Sequence, residues 1–186
     1  MRAIPWSKLR SWSCLGCGVC CKMYNVLLTL YEAVTFLRKF GMDVLIPNLR
    51  GFYLRKTLDG KCIFQNEYFG KSLCRIQAIK PLACKLWPFR ILKYPKYEER
   101  ELAKFAYKDD VFYVYVDPAC RGLSLGNPSE ELVTKTIPEF IKIFLGIKQT
   151  QFYSTSRMIY QALPASALIV SGPSYLSPSP HVSRLL

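Results

Sequence analysis

The stretch Cys14–Cys21 reads CLGCGVCC, four thiols on two Cys-x-x-Cys steps closed by an adjacent pair. A Cys-x-x-Cys turn brings two sulfurs to one metal, because the chain reverses within a few residues. Two such turns in succession present converging thiolates at Cys14, Cys17 and Cys20, the geometry that an iron–sulfur cluster uses. Adjacent cysteines diverge in most backbone conformations. Cys20 and Cys21 are therefore expected to point apart, one of them serving a second site or buttressing the first.

Four more thiols follow at Cys62, Cys74, Cys84 and Cys120, and all eight are candidate metal ligands. The only histidine, His181, lies in the C-terminal tail, so a protein site would be all-thiolate. Such donors suit zinc or iron–sulfur chemistry and argue against magnesium, calcium or non-haem iron. Zinc sites usually pair two Cys-x-x-Cys units, and no second unit follows Cys20. A ferredoxin run would need a cysteine then proline where Tyr24-Asn25 stand, and the spacing is not that of a radical S-adenosylmethionine site. Ligand softness and number favour one or two iron–sulfur clusters, of the 4Fe-4S type, over zinc. Cys14, Cys17 and Cys20 with one distant cysteine would hold the first.

Composition bounds the setting. The chain has 186 residues, 51% of them hydrophobic, with twelve Tyr and eleven Phe, enough for one domain with a real core. The N-terminal MRAIPWSKLRSWSC is basic and lacks the apolar run of a secretory signal. The longest nearly apolar stretch, Ala162 to Val170, falls far short of the ~20 residues of a membrane span. The expected compartment is the cytosol, where thiols stay reduced and serve as ligands rather than disulfides.

The net charge of +13 is uneven: residues 1–108 carry 20 Lys/Arg against 7 Asp/Glu, and residues 109–186 carry 6 of each. Cations adjoin the thiols at Lys22, Lys61, Arg75, Lys85 and Arg121. They can lower thiol pKa values and offset the charge of a thiolate site. A basic face also attracts nucleic acid through its phosphates.

The elements that must position these thiols are short. Thr29 to Phe40 reads as a helix, with a Thr29–Glu32 capping box, Leu30, Ala33, Val34 and Leu37 as one apolar face, and a stop at Gly41. It is expected to pack behind the metal loop. A hairpin is expected from GFYLRKT through the turn at 58–61 to CIF, delivering Cys62, with residues 66–73 as a loop. Cys74 and Cys84 flank a helical turn interrupted by Pro81, and Trp87, Pro88 and Phe89 form an aromatic plug. VFYVYVD at 111–117 is a strand, paired backward with residues 101–107, that delivers Cys120. Ser129 opens a helix running to Lys148 with a bend at Pro138. A further helix is expected around residues 151–162. The fold class is α+β: a small single domain of short β-hairpins and helices packed around a Cys-rich metal core. Residues 1–126 form the cysteine-cluster region, 127–163 a helical extension of the same domain, and 164–186 a Ser/Pro-rich tail.

Taken together, CLGCGVCC, GKCIF at 60–64, CRIQAIKPLACKLWPF at 74–89 and DPACRGLSLG at 117–126 resemble the YkgJ-type cysteine-cluster family, the CxxCxxCC domains described as zinc- or iron-chelating. The resemblance covers residues 14–126 and includes all eight cysteines. It departs from the family pattern at Lys80 and Lys85, where Arg is usual, at Trp87 for Phe, and at Arg121 for Pro. Lys in place of Arg loses a forked donor. The resemblance implies metal or Fe–S chelation. Some relatives are flagellin lysine methylases, but no residue of this chain independently supports methyl transfer.

Two functional classes compete. The first is a chelating protein whose cluster is structural or carries electrons for a protein redox partner. The second is a basic module binding RNA or a ribonucleoprotein, stapled by structural metal, with aromatics and cations supplying stacking and phosphate contacts. An enzyme with an open metal position is the weaker reading, since no GxGxxG, P-loop, Ser-His-Asp set or HExxH occurs. Tyr24 and Asp59 lie near the thiols and could be polar site residues, though lone polar residues are more often structural. No membrane partner is expected.

Overall fold

A computed structural model describes residues 3–153. The strand expected from its aromatic and β-branched run is present as β9, Asp110–Val116, and the rest of the main sheet forms around it. The other nine strands are β1 Ile4–Pro5, β2 Leu9–Trp12, β3 Leu45–Asn48, β4 Gly51–Leu54, β5 Gln65–Tyr68, β6 Lys71–Cys74, β7 Phe89–Leu92, β8 Lys104–Tyr107 and β10 Leu123–Leu125. The α-helices are α1 Val19–Met23, α2 Leu30–Phe40, α3 Leu82–Leu86, α4 Arg100–Ala103 and α5 Ile137–Phe144. The architecture is α+β, with short antiparallel strand pairs throughout.

Strand β9 pairs antiparallel with β7 along one edge and with β8 and β1 along the other, because Tyr113 faces both Leu92 and Lys104 while Tyr115 faces both Arg90 and Pro5. Its alternation sends Phe112, Val114 and Val116 into a first core with Leu9, Trp12, Phe89, Leu132 and Phe140. Tyr115 lies in a separate small cluster with Ala3 and Ala103. The expected backward pairing with residues 101–107 is found as β8 against β9, turning at Lys108-Asp109. Ser129 caps the C-terminal helical segment by accepting from the Leu132 amide at 3.2 Å. The helix then runs through a π-turn at Leu132–Thr136 into α5, whose end falls at Phe144, short of Lys148.

A second core gathers Leu28, Ala33, Phe36, Val44, Leu45, Leu54, Phe64 and Ile76 around α2. Both halves of the expected capping box on α2 are present. Its buried face is different from the one expected: Ala33 and Phe36 point inward, while Leu30 is 78% exposed and Val34 and Leu37 are also exposed. The periodicity held two apolar stripes, and the one carrying the bulky Phe36 ring docks. Thr29→Ala is expected to cost about 1 kcal/mol through loss of the cap, measured by urea unfolding, with α2 still folded.

Three expectations about the middle of the chain are corrected. Strand β4 pairs with β3, and the expected hairpin is confined to the residues beyond it, where Lys56 bridges Cys62 and the Thr57 and Ile63 amides donate to Lys61 O and Arg55 O at 2.8 and 3.2 Å. Residues 66–73 are not a loop but most of the β5–β6 hairpin, turned at Phe69 (φ 45°) and Gly70 (φ 70°). Pro81 does separate two helical turns, a 3-10 turn at Gln77–Ile79 and α3, where it stands at the N-cap and its missing amide costs nothing, but Cys84 lies within α3 rather than flanking it. The helix expected over 151–162, the Ser/Pro-rich tail and His181 lie outside the described residues, apart from Gln151–Tyr153, which are not helical. Among the described residues no helix is long and apolar enough to cross a membrane.

Candidate metal centre

The two cores flank a cavity of about 220 Å³ lined by all eight cysteines. Cys14 and Cys120 pack against the first core, Cys62 and Cys74 against the second. The thiols arrive on several local devices. Gly18 (φ 70°) caps α1, and a Cβ there would fall 2.5 Å from Ser72 Oγ, so the cysteine loop can lie close against β6 only because this residue is glycine. The Ser72 amide donates to Gly16 O at 2.6 Å and fastens the same loop. Gly122 lies closer still to Ser13, where a Cβ would fall 1.9 Å from Ser13 O, and the Ser13 amide donates to Gly122 O at 3.1 Å, joining the Cys14 and Cys120 segments.

Cys20 and Cys21 do not diverge. Their sulfurs stand 4.0 Å apart. The reason is α1, in which successive side chains are about 100° apart rather than opposed as on a strand, so both can face one cavity. Cys74 ends β6, Cys84 sits in α3, and Cys62 follows the turn at 57–61, its amide donating to Cys21 O at 3.1 Å. All eight cysteines are free thiols, so the disulfide alternative is not realised.

The thiols differ electrostatically. A hydrogen bond from Cys21 draws the Cys20 thiol down to about 7, and the same shared proton pushes Cys21 up. Burial raises Cys14, Cys62, Cys74, Cys84 and Cys120. In the reduced, metal-free chain, alkylation of Cys20 is therefore expected to rise through a midpoint near pH 7. The buried thiols should follow only at higher pH. Pulsed iodoacetamide labelling read by peptide mass spectrometry checks this, and labelling of Cys74 ahead of Cys20 would contradict it.

The cation in the lining is Lys80, whose charge acts on Cys14, Cys20, Cys74 and Cys84. Lys22, Lys61, Arg75, Lys85 and Arg121, singled out as sequence neighbours of thiols, are not among the lining residues. Adjacency along the chain does not decide which way a long side chain points. Trp87 lines the cavity and stacks on Tyr24 with centroids 4.3 Å apart, whereas Phe89 belongs to the first core. The expected aromatic plug is thus divided between wall and core.

Tyr24 does belong to the site. Its hydroxyl donates to Asp117 Oδ2 at 3.0 Å, and burial together with that bond pushes it up to about 12. Asp59 is not in the lining; it pairs on the surface with Lys61. Asp117 was not singled out in the sequence, yet it ties three thiol-bearing segments together. Besides Tyr24, just after α1, it accepts from the Ala119 amide at 3.1 Å, next to Cys120, and its own amide donates to Pro88 O at 3.0 Å, just beyond α3. Arg90 Nη2 neutralises it at 2.7 Å. The one available signal was its place at the end of β9, three residues before Cys120.

With no histidine or carboxylate in the lining, the donor set is sulfur alone, which fits zinc or an iron–sulfur group. A single tetrahedral zinc needs sulfurs about 3.8 Å apart around bonds of about 2.3 Å. Among the described residues, no group of three or more His, Cys, Asp or Glu is gathered that tightly. Each sulfur turns on one χ1 bond, the freedom through which thiols close on a metal.

A family model described as "CxxCxxCC: Putative zinc- or iron-chelating domain" matches residues 13–121. The chain belongs to the CxxCxxCC family. The match spans all eight thiols of the CxxCxxCC domain as well as Lys80, Tyr24 and Asp117. Metal chelation is therefore the activity to which the cavity is matched. Comparison with curated proteins and with solved structures found no match.

Proposed function

We propose that the CxxCxxCC domain holds iron–sulfur chemistry of the 4Fe-4S type in this cavity, in a structural or electron-carrying role for a protein redox partner in the cytosol. The observation that carries the reading is the convergence of eight thiols, and no other strong ligand type, on one space. Eight donors exceed the four of a closed zinc site. The cavity, about 220 Å³, is also several times the roughly 30 Å³ share of one water. Both points favour a polynuclear occupant over a lone ion.

A bound cluster would supply one-electron transfer. The chain's part is to ligate and to tune. Cys14, Cys17 and Cys20 with a distant cysteine would hold the first cluster. Trp12, Phe64 and Trp87 limit water, and Lys80 offsets thiolate charge, two levers on a cluster's potential.

Anaerobic purification with iron, zinc and acid-labile sulfide analysis tests the reading. A brown protein absorbing near ~400 nm and bleached by dithionite is the expected result. A colourless protein with stoichiometric zinc would overturn the cluster and leave the zinc alternative.

A second reading is a basic nucleic-acid module stapled by the same metal. It draws on the exposed Tyr68–Phe69 pair at the β5–β6 turn, with ring centroids 4.5 Å apart, where Lys71 is registered against Tyr68. Stacking on such rings with phosphate contacts would give RNA binding that weakens steeply with salt. Salt-independent or absent RNA binding would remove this reading.

A further inference from the structure

Four of the eight thiols pack against the two cores that flank the cavity, two against each. On one side, Cys14 and Cys120 pack against the first core, their segments joined by the Ser13–Gly122 hydrogen bond, and Trp12 Nε1 donates to Cys120 Sγ at 3.4 Å. Cys17 and Cys20 lie within electrostatic reach of Cys120, as Cys20 and Cys120 do of Cys14.

On the other side, the Cys62 amide donates to Cys21 O, and the Gln65 amide donates to Cys62 O at 2.8 Å. Gln65 is then registered against Cys74 in the β5–β6 ladder. Cys62 and Cys74 pack against the second core. Cys84 completes this set, with Cys74 and Cys62 among its charged neighbours.

The sets meet where the Cys20 and Cys21 sulfurs lie 4.0 Å apart. Cys20 is felt from both sides, as a thiol at the boundary must be.

We infer that the cavity is built for two metal centres side by side, one ligated by Cys14, Cys17, Cys20 and Cys120, the other by Cys21, Cys62, Cys74 and Cys84. The inference rests on the metal-centre reading above and assigns its ligands. It explains the adjacent pair: one cysteine serves each centre, and their neighbouring sulfurs set the two centres in contact. It also accounts for Lys80. Four thiolates around zinc, or around an oxidised four-iron cluster, leave a net charge of about −2. Two such centres in one cavity repel, and Lys80 acts on Cys14 and Cys20 of one set and on Cys74 and Cys84 of the other.

The test is a titration of the reduced, metal-free full chain with cobalt(II), a spectroscopic stand-in for zinc, read by thiolate-to-cobalt charge-transfer absorption and by native mass spectrometry. The wild type is expected to bind two ions. Cys14→Ser and Cys84→Ser should each keep one, and the double variant none. Cys17→Ser and Cys74→Ser repeat the comparison if either first variant fails to fold. One ion per chain in the wild type, or loss of both ions from either set's single substitution, overturns the division into two centres. A wild type that binds no cobalt, zinc or iron overturns the metal-centre reading itself, and the division falls with it.

Discussion

Stripping the metal from the CxxCxxCC domain is expected to lower its thermal midpoint by roughly 10 °C. A ligand that binds only the folded chain, at a thousand times its dissociation constant, adds about 4 kcal/mol of stability. For a chain of this size each kcal/mol moves the midpoint by about 2–4 °C. The effect is large here because the thiols come from two separate cores, so bound metal, reaching both sides through the adjacent Cys20 and Cys21, ties together halves that otherwise share few apolar residues. Metal binding and folding are then one equilibrium, as in other small metallodomains. Calorimetry of the loaded domain before and after chelation, with thiols kept reduced, reads the shift. An unchanged midpoint would show that the metal does not bridge the cores.

The second large effect lies away from the sulfurs. Arg90→Ala is expected to cost about 3–5 kcal/mol, and more than Asp117→Ala. The asymmetry follows from burial: the Asp117 side chain is fully buried, whereas that of Arg90 remains 37% exposed. Removing Arg90 strands a carboxylate with no access to water, and breaking a buried pair from that side carries the larger penalty. Removing Asp117 leaves a guanidinium that water can reach and that still contacts the Tyr97 hydroxyl at 2.5 Å. Urea unfolding of both variants ranks the costs. An Asp117→Ala variant less stable than Arg90→Ala would show that the carboxylate's bonds to Tyr24 and Ala119 outweigh the ion pair.

The elements legible in the sequence were those with a local cause. The capping box of α2 and the aromatic, β-branched run of β9 each specify themselves within a few residues. The β5–β6 hairpin was hidden because its turn uses Phe69-Gly70 in place of the Asn-Gly or Asp-Gly that marks such turns. Strand β3 was hidden by Pro47, which is tolerated because this two-stranded sheet leaves edges free of pairing. Strands β1 and β2 exist through partners more than a hundred residues away, on β9 and β10.

The site divides in the same way. Residue type alone singled out the eight thiols that line the cavity, since sulfur ligands are few and the one histidine of the sequence stands at position 181. Which thiols face one another depends on α1, on the β5–β6 register and on the Ser13–Gly122 contact, none of which is local. Lys80 and Asp117 carry no local signal of a site role, one being a lysine four residues before Cys84 and the other a carboxylate at a strand end. Only the folded chain, which sets Lys80 in the cavity lining and brings Tyr24 and Arg90 to Asp117, gives them their roles.

Metal-edge X-ray absorption of the anaerobically purified protein tests the central claim most directly. A first shell of sulfur alone at about 2.3 Å, the metal–thiolate distance, is the result expected of a metal held by these cysteines. A first shell containing nitrogen or oxygen at about 2.0–2.1 Å would place the metal elsewhere on the chain and contradict the account.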